Sequence, residues 1–234
     1  MPRTFRLAML GLAIVLLFVI RASADDAKAT EPFNGKDLSG WKFKGDAANS
    51  QWTVGLAKMN DKKDNEFVID PAGHELINNI AAGKHGVDAY SEQTFGDATI
   101  EVEVMVPKGS NSGIYVMGEY EIQVFDSYGK QEIGAGDMGA IYSAGIARVN
   151  ASKPAGEWQK YEITYRAPRF EGDKKTENAR ITKVVLNDQM LHEDVELKGP
   201  TPGGITGREA AKGPVMFQGD HGAVAYRNLK VMAK

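Results

Sequence analysis

The stretch GSNSGIYVMGEYEIQVFDS, residues 109–127, indicates two short β-strands joined by a tight turn. Apolar and polar residues alternate on each side of Met117-Gly118-Glu119, where the glycine suits the turn of a hairpin. Since side chains alternate along a strand, the second strand has one apolar face and one largely polar face. The first face carries Tyr120, Ile122 and Val124, and the second carries Glu121, Gln123 and Phe125.

Polar residues are concentrated around the second strand of this hairpin. Asp126 follows it and Asn111-Ser112-Gly113 opens the first strand, so Glu121 and Gln123 have many hydrogen-bonding neighbours. A solvent-exposed strand shows the same alternation without needing so many such groups. We therefore predict that Glu121 and Gln123 line a cleft while their apolar neighbours are buried, because a shift of one residue would exchange the two sets.

The first 24 residues have the features of a signal peptide. Arg3 and Arg6 precede an apolar run, Leu7 to Ile20, and Ala22-Ser23-Ala24 matches a small-residue cleavage site. The alternative is an uncleaved anchor, for which the run is shorter than the roughly 20 residues of a spanning helix. We predict a periplasmic or secreted protein with a signal peptide at 1–24, a linker at 25–31 and one domain at 32–234.

Composition narrows the class of protein. The chain has no cysteine, which excludes disulfides and lipid attachment through a cysteine, so the exported domain depends on its packed core. Loss of three arginines with the signal peptide lowers the formal charge from −3 to −6, which argues against nucleic acid or an anionic membrane as partner. The 26 glycines, 9 prolines and 9% aromatic residues suit a turn-rich all-β fold.

Other segments are also predicted to be strands. Residues 95–106 alternate most clearly and place Glu101 and Glu103 on one face, which we interpret as solvent-exposed or as lining the sheet beside Glu121. An earlier strand is predicted to stop before Asp70-Pro71, because proline lacks the N–H that a sheet uses.

The second half of the chain contains two further predicted features. The charged segment 169–180 is predicted to be a hairpin loop in solvent, followed by strands at 181–186 and 190–197 around an Asn-Asp turn. His192 lies in the last of these strands. We interpret His192 as structural or exposed, because its neighbours Glu193 and Asp194 are able to accept hydrogen bonds from the ring.

Two tyrosines, one histidine and one arginine are further candidate site residues. Tyr115 and Tyr142 are able to stack on the apolar face of a sugar ring, although each also suits core packing with a satisfied hydroxyl. His221 follows Asp220 and lies between glycines, where the backbone allows close approach to a ligand. The alternative is a histidine that only braces its loop. Arg227, on the last predicted strand, is a candidate for binding a carboxylate or a sugar oxygen.

Five segments in register resemble one bacterial family, the 3-keto-disaccharide hydrolases, formerly a domain of unknown function. They occur in the order that the family shows and span nearly the whole mature chain: FNGKDLSGW at 33–41, NSGIYVMGEYEIQVFDS at 111–127, GAIY at 139–142, KPAGEWQKYEI at 153–163 and FQGDHGAVAYRNLKV at 217–231. The resemblance implies an all-β, two-sheet antiparallel jelly-roll sandwich of the concanavalin A-like lectin and glucanase type. Its carbohydrate site is expected on the concave sheet.

The resemblance also implies an activity, namely cleavage of the glycosidic bond of a sugar already oxidised to a ketone at C3. We expect catalysis by His221 as base and Glu121 or Asp126 as acid, or by the same residues with these roles exchanged. Glu121 and His221, a hundred positions apart, are therefore predicted to meet in one site. The expected binding residues are Asn111, Tyr115, Gln123, Tyr142, Gln218 and Arg227. The expected partner is a small carbohydrate or glycoside.

Two other functions remain open. A non-catalytic, lectin-like binding module needs only the same cleft. A plain glucanase carries an E-x-D-x-x-E arrangement, which Glu121-x-Gln123-x-x-Asp126 imitates with an amide in place of the central acid. Glu119 departs from the pattern of the 3-keto-disaccharide hydrolase family, because relatives with this short hairpin often carry a basic residue at that turn. The difference bears on substrate preference.

No nucleophile elbow, HExxH or CxxC pattern occurs in the chain, and the G-x-G-x-x-G spacing at 134–139 lies in a glycine-rich loop and not between a strand and a helix, as nucleotide binding requires. We therefore expect no cofactor and no catalytic metal. Calcium is left open, because its scattered oxygen ligands leave little trace in a sequence.

Overall fold

The structure is a computed structural model that describes residues 29–80 and 84–234, together with Met1. Apart from Met1, the predicted signal peptide lies outside the described residues, as does most of the predicted linker. Within the described part, the chain forms β-strands and one short 3₁₀ turn, Ala47–Asn49, as expected of an all-β fold. The strands are β1 (Trp41–Lys44), β2 (Trp52–Asn60), β3 (Lys63–Asn78), β4 (Asp88–Phe95), β5 (Ala98–Met105), β6 (Asn111–Val116), β7 (Tyr120–Phe125), β8 (Gln159–Arg166), β9 (Arg169–Glu171), β10 (Lys174–Glu177), β11 (Ala179–Leu186), β12 (Gln189–Leu197), β13 (Gly213–Phe217) and β14 (Val224–Ala233).

Two antiparallel sheets face each other, which confirms the predicted jelly-roll sandwich. One sheet has five strands in the order β1-β4-β13-β6-β7, and the other has seven in the order β12-β11-β8-β5-β14-β3-β2. The charged segment predicted as a solvent hairpin forms the small pair β9 and β10. No helix in the described ranges is long and apolar enough to cross a membrane.

The core lies between the two sheets and is dominated by apolar and aromatic side chains. Ile122 and Val124 are completely buried in it, as the alternation of β7 predicts. Phe217 of one sheet stacks on Tyr226 of the other with ring centroids 3.8 Å apart, and Trp41 stacks on Phe217. Each such buried side chain contributes about 1.5–3 kcal/mol of hydrophobic stabilisation, so packing holds the sandwich together without disulfides.

The central hairpin has the predicted geometry. β6 and β7 pair antiparallel, with Tyr115 directly opposite Glu121. Met117 and Gly118 at the turn have φ of 55° and 71°, the left-handed values that a tight hairpin turn requires. A side chain at Gly118 would also meet Ile205 at 2.6 Å, so a glycine is needed there for both reasons.

Two strand predictions were wrong. β3 does not end before Asp70-Pro71, because the ladder with β2 skips the residues between Asp70 and Glu75 and then resumes. Proline is tolerated there because residues looped out of the ladder donate no sheet hydrogen bond. The predicted strand at 95–106 includes a turn at Gly96-Asp97, which separates β4 from β5.

Candidate active site

A cleft of about 420 Å³ lies on the face of the five-stranded sheet that points away from the core. Its walls are β6 and β7, the loop after β13, and loop residues around 136, 142 and 203. Seven of the nine predicted site residues line it, namely Asn111, Tyr115, Glu121, Gln123, Tyr142, Gln218 and His221. Glu121 and His221 therefore meet in one cleft despite their separation in sequence.

Asp126 lies outside this cleft, contrary to its predicted role as an acid. Its carboxylate accepts a hydrogen bond from the Gly109 backbone N–H at 2.9 Å, and its own N–H donates to the Ser110 carbonyl. β7 ends at Phe125, so Asp126 falls beyond the alternation that directs Glu121 and Gln123 into the cleft. Asp126 holds the turn before β6.

Arg227, predicted to bind the substrate, also lies outside the cleft. It lies on β14 of the seven-stranded sheet, where Tyr226 points into the core and the next side chain points to the outer face. The guanidinium stacks 4.0 Å from the Trp158 ring and bonds the Glu103 carboxylate at 2.7 Å. Glu103 therefore belongs to this outer surface and does not lie beside Glu121.

Glu121 is a carboxyl group held away from water. It is only 2% exposed, and burial raises its pKa to about 7, against the lowering effects of the Tyr115 hydroxyl and the charge of His221. Asp88 and Asp220 add to the increase. Near neutral pH the group is therefore able both to hold and to release a proton.

Gly113 makes room for that carboxyl group. A Cβ atom at this position would lie 2.3 Å from Oε1 of Glu121, closer than any real contact. The glycine of the NSGIY segment thus has a steric reason. Tyr115, across the hairpin, is almost fully buried and donates its hydroxyl to the Pro202 carbonyl, so it does not present a stacking face to the cleft.

His221 is half exposed and is oriented by its neighbour Asp220. Its Nδ1 contacts the Asp220 carboxylate, which favours the tautomer with a proton on Nδ1 and leaves Nε2 free to act as base. The loop that carries His221 is held by hydrogen bonds from a residue of β3. Asn78 donates to the carbonyls of Gly219 and Gly222, both at 3.0 Å.

Three carboxamides complete the cleft. Asn111, Gln123 and Gln218 each have a buried side-chain oxygen, and none of these oxygens has a hydrogen-bond partner within the described residues. Buried polar groups in proteins are nearly always paired. A carboxamide also carries two N–H donors, so the three side chains form a set of polar contacts suited to sugar hydroxyls or a carbonyl oxygen.

Tyr142 closes one side of the cleft, and its segment pairs with the free edge of β7. The Tyr142 N–H donates to the Glu121 carbonyl at 3.0 Å, and the Gly139 N–H donates to the Gln123 carbonyl at 2.8 Å.

His192, predicted to be structural or exposed, is buried and structural. Its Nε2 lies 2.9 Å from the Gly139 carbonyl, so its partner is this segment and not its sequence neighbours.

Glu119 anchors a loop and does not line the cleft. Its carboxylate accepts hydrogen bonds from the backbone N–H groups of Thr206 and Gly207 at 2.8 and 3.0 Å, and from the Thr206 hydroxyl. In the part of the chain that the structure describes, no group of three or more His, Cys, Asp and Glu side chains is arranged to hold a metal ion.

Comparison with known proteins identifies the family. The family model described as a 3-keto-alpha-glucoside-1,2-lyase-like domain matches residues 28–232. The chain belongs to this family. Comparison with curated proteins finds no significant match.

The lyase-like family fold is also seen in solved structures. A candidate glycosyl hydrolase from Parabacteroides distasonis is 27% identical, with a TM-score of 0.66 over 88% of this chain and 84% of that one. A second candidate glycosyl hydrolase from the same organism is 16% identical, with a TM-score of 0.59 over 88% and 94% of the two chains. Family membership and the first relative make this chain a glycosyl hydrolase-like protein, and the second supports the fold alone.

Proposed function

We propose that the chain cleaves α-glucosides that carry a ketone at C3, by elimination across C1 and C2 followed by addition of water. The observation that carries the proposal is the pair of titratable groups in the cleft, one histidine and one buried carboxyl with a pKa near 7. Membership of the lyase-like family supports the substrate class.

The ketone makes this chemistry accessible to a simple base and acid. A C3 carbonyl acidifies the proton on C2, and the C1 oxygen substituent lies β to that carbonyl. The base removes the C2 proton to form an enolate, the C1–O bond then breaks as the C1=C2 double bond forms, and the leaving oxygen takes a proton from the acid. Water adds OH to C1 and H to C2, which completes a net hydrolysis.

The residues of the cleft suit these steps. His221, with Nδ1 held by Asp220, acts as the base, and protonated Glu121 acts as the acid for the leaving oxygen. Asn111, Gln123 and Gln218 donate to the enolate oxygen and to sugar hydroxyls. Each of these contributions is typically worth about 10² to 10⁴ in rate.

A plain glucanase fits the cleft less well. Glycosidases of that kind place two carboxyl groups on either side of the bond that breaks. Among the residues that the structure describes, Glu121 is the one carboxyl group lining the cleft, because Gln123 is an amide and Asp126 lies elsewhere. A single carboxyl group beside a histidine favours base-catalysed elimination.

A second cavity provides room for the leaving group. It has a volume of about 390 Å³ and shares Tyr142 with the cleft. Thr201 on its wall accepts a hydrogen bond from the Glu121 N–H at 2.9 Å, and Tyr142 bonds the Glu121 carbonyl. Both residues on the wall of this second cavity therefore contact the backbone of Glu121, the proposed acid.

The direct test compares a 3-keto α-glucoside with its unoxidised parent, using purified protein without residues 1–24. We expect cleavage of the keto sugar only, with a transient enone absorbing in the ultraviolet. Cleavage of both sugars would support the glucanase, and binding of sugar without turnover would support the lectin-like module. Either result would overturn the proposal.

We also propose that the protein acts in the periplasm or outside the cell. The support is the basic start, apolar run and small-residue site of the first 24 residues. Mass spectrometry of the exported protein is expected to show a new N-terminus at or near Asp25. An intact Met1 to Ala24 in the exported fraction would contradict this.

A further inference from the structure

Asp88, at the start of β4, is a buried carboxylate that the proposed reaction does not use. It is 6% exposed, and burial raises its pKa, against the opposing hydrogen bond from the Gly219 N–H. Its carboxylate pairs with the ammonium group of Lys44 on β1. A buried ion pair is weak evidence for stability, because apolar residues of similar volume often stabilise a fold as well. Its contacts suggest a different role.

Two loops that line the cleft are connected through this carboxylate. Oδ1 of Asp88 accepts a hydrogen bond from the Gly219 N–H at 2.9 Å, in the loop that carries His221. Oδ2 lies 3.4 Å from Nζ of Lys44, the residue directly opposite on β1. The same Nζ donates to the Gly203 carbonyl at 2.6 Å. Gly203 lies in the second cleft-lining loop, between β12 and β13.

The Gly203 loop has a direct effect on the geometry of the cleft. A Cβ atom at Gly203 would lie 2.4 Å from the Tyr115 hydroxyl, so the loop backbone packs tightly against that side chain. Tyr115 is in turn the cross-strand neighbour of Glu121. A continuous set of contacts therefore runs from the His221 loop, through Asp88 and Lys44, to the acid side of the cleft.

We propose that Asp88 and Lys44 form a positioning latch that holds the His221 loop and the Gly203 loop at a fixed separation. Neither residue lines the cleft, so the latch does not touch the substrate. It acts through the two loops, besides the effect of the Asp88 charge on the pKa of Glu121. The consequence for turnover rests on the proposed function, whereas the consequence for loop order does not.

The same two strands offer a matched control. Lys42 and Glu92 also join β1 to β4, with Nζ and Oε1 3.3 Å apart, and Lys42 lies two residues from Lys44 on the same face. Both side chains of this pair are more than half exposed, and neither bonds either loop. Lys42→Met therefore removes an equivalent charge and ion pair without touching the latch.

The experiment compares Lys44→Met, Asp88→Ala and Lys42→Met by amide hydrogen exchange and by turnover of a 3-keto α-glucoside. In the two latch variants we expect the Gly219 amide to exchange about tenfold faster or more, and kcat to fall about tenfold with a smaller change in KM. Asp88→Asn keeps an acceptor for the Gly219 N–H, so its amide is expected to stay more protected than in Asp88→Ala. Lys42→Met is expected to match the wild type in both measurements.

The two readouts separate the latch from the reaction. If no keto sugar is cleaved by the wild type, the proposed function fails while the exchange rates still decide the latch. If Lys44→Met and Lys42→Met have the same Gly219 exchange rate, the latch is overturned. A Lys44→Met variant that loosens the loop but retains full kcat would show that the latch does not position the base.

Discussion

Two surfaces of this sandwich carry a glutamate at an alternating strand position, and they shift the pKa of that glutamate in opposite directions. On the outer face of the seven-stranded sheet, Glu103 bonds Arg227 at 2.7 Å and Asn228 at 2.9 Å. Burial there tends to raise the pKa of Glu103, but these hydrogen bonds and charges hold it below its usual value. In the cleft, burial raises the pKa of Glu121 to about 7.

The comparison shows that the partners of a carboxylate, more than its strand position, decide its chemistry. Glu103 has a guanidinium and an amide donor in hydrogen-bond contact, so its charged form is stabilised. Glu121 faces a cleft with three carboxamides, and no arginine or lysine lines that cleft within the described residues. The first arrangement is a surface ion pair, and the second is a group that exchanges protons near neutral pH.

The largest expected effect is on turnover. His221→Ala and Glu121→Gln are each expected to lower kcat/KM for a 3-keto α-glucoside by about 10² or more, because each removes a proton-transfer group. Glu103→Gln changes the other member of the comparison and is expected to keep full activity. Steady-state kinetics with circular dichroism as a folding check measures all three. A His221→Ala variant that lost about 1 kcal/mol of stability but no activity would make this histidine a loop brace.

The next effect is on stability and depends on pH. The pKa of Glu121 is about 7 in the folded state against 4.5 for an ordinary glutamate, so the folded state keeps a proton that the unfolded state releases. The wild type should therefore lose about 2–3 kcal/mol relative to Glu121→Gln as pH rises from 4.5 to 7. Urea unfolding of both proteins at pH 4.5 and 8 measures the difference. An equal difference at the two values would contradict the raised pKa.

A smaller effect is expected from Gly113→Ala, which tests the space around the carboxyl group. The added methyl group would displace Oε1 of Glu121, so kcat is expected to fall about tenfold while the fold persists. Gly136→Ala is the control, since a Cβ at Gly136 has nothing within 4 Å although the residue also lines the cleft. Equal rates for the two variants would show that the position of Glu121 is not critical.

The smallest effect is expected on the outer face. Glu103→Gln weakens the partly exposed pair with Arg227 and is expected to cost about 1 kcal/mol of unfolding free energy, with no dependence on pH between 6 and 8. Thermal or urea unfolding measures this. A loss of activity in this variant would place the outer face in the reaction and remove the contrast.

The sequence was sufficient for the fold class and most of the cleft. Strict alternation in residues 120–125 and a glycine turn determine which side chains of β7 face the core. The same rule, applied from buried Tyr226, would have directed Arg227 to the outer face.

Other parts of the site had no local signal. Asp88 acts through Gly219 and Lys44, which are far from it in sequence, and β4 is too polar for its alternation to mark a strand. The skipped residues around Pro71 and the turn at Gly96-Asp97 likewise depend on partner strands. Such features arise from tertiary pairing, which a single sequence does not specify.

The most direct test is a titration of the glutamate side chains by ¹³C NMR, with Glu121→Gln and Glu103→Gln used to assign the two carboxyl signals. We expect the Glu121 signal to titrate near pH 7 and the Glu103 signal below the ordinary glutamate value of 4.5. This result would establish Glu121 as a neutral acid in the cleft while Glu103 is an ion. Titration of both signals below pH 5 would contradict the account.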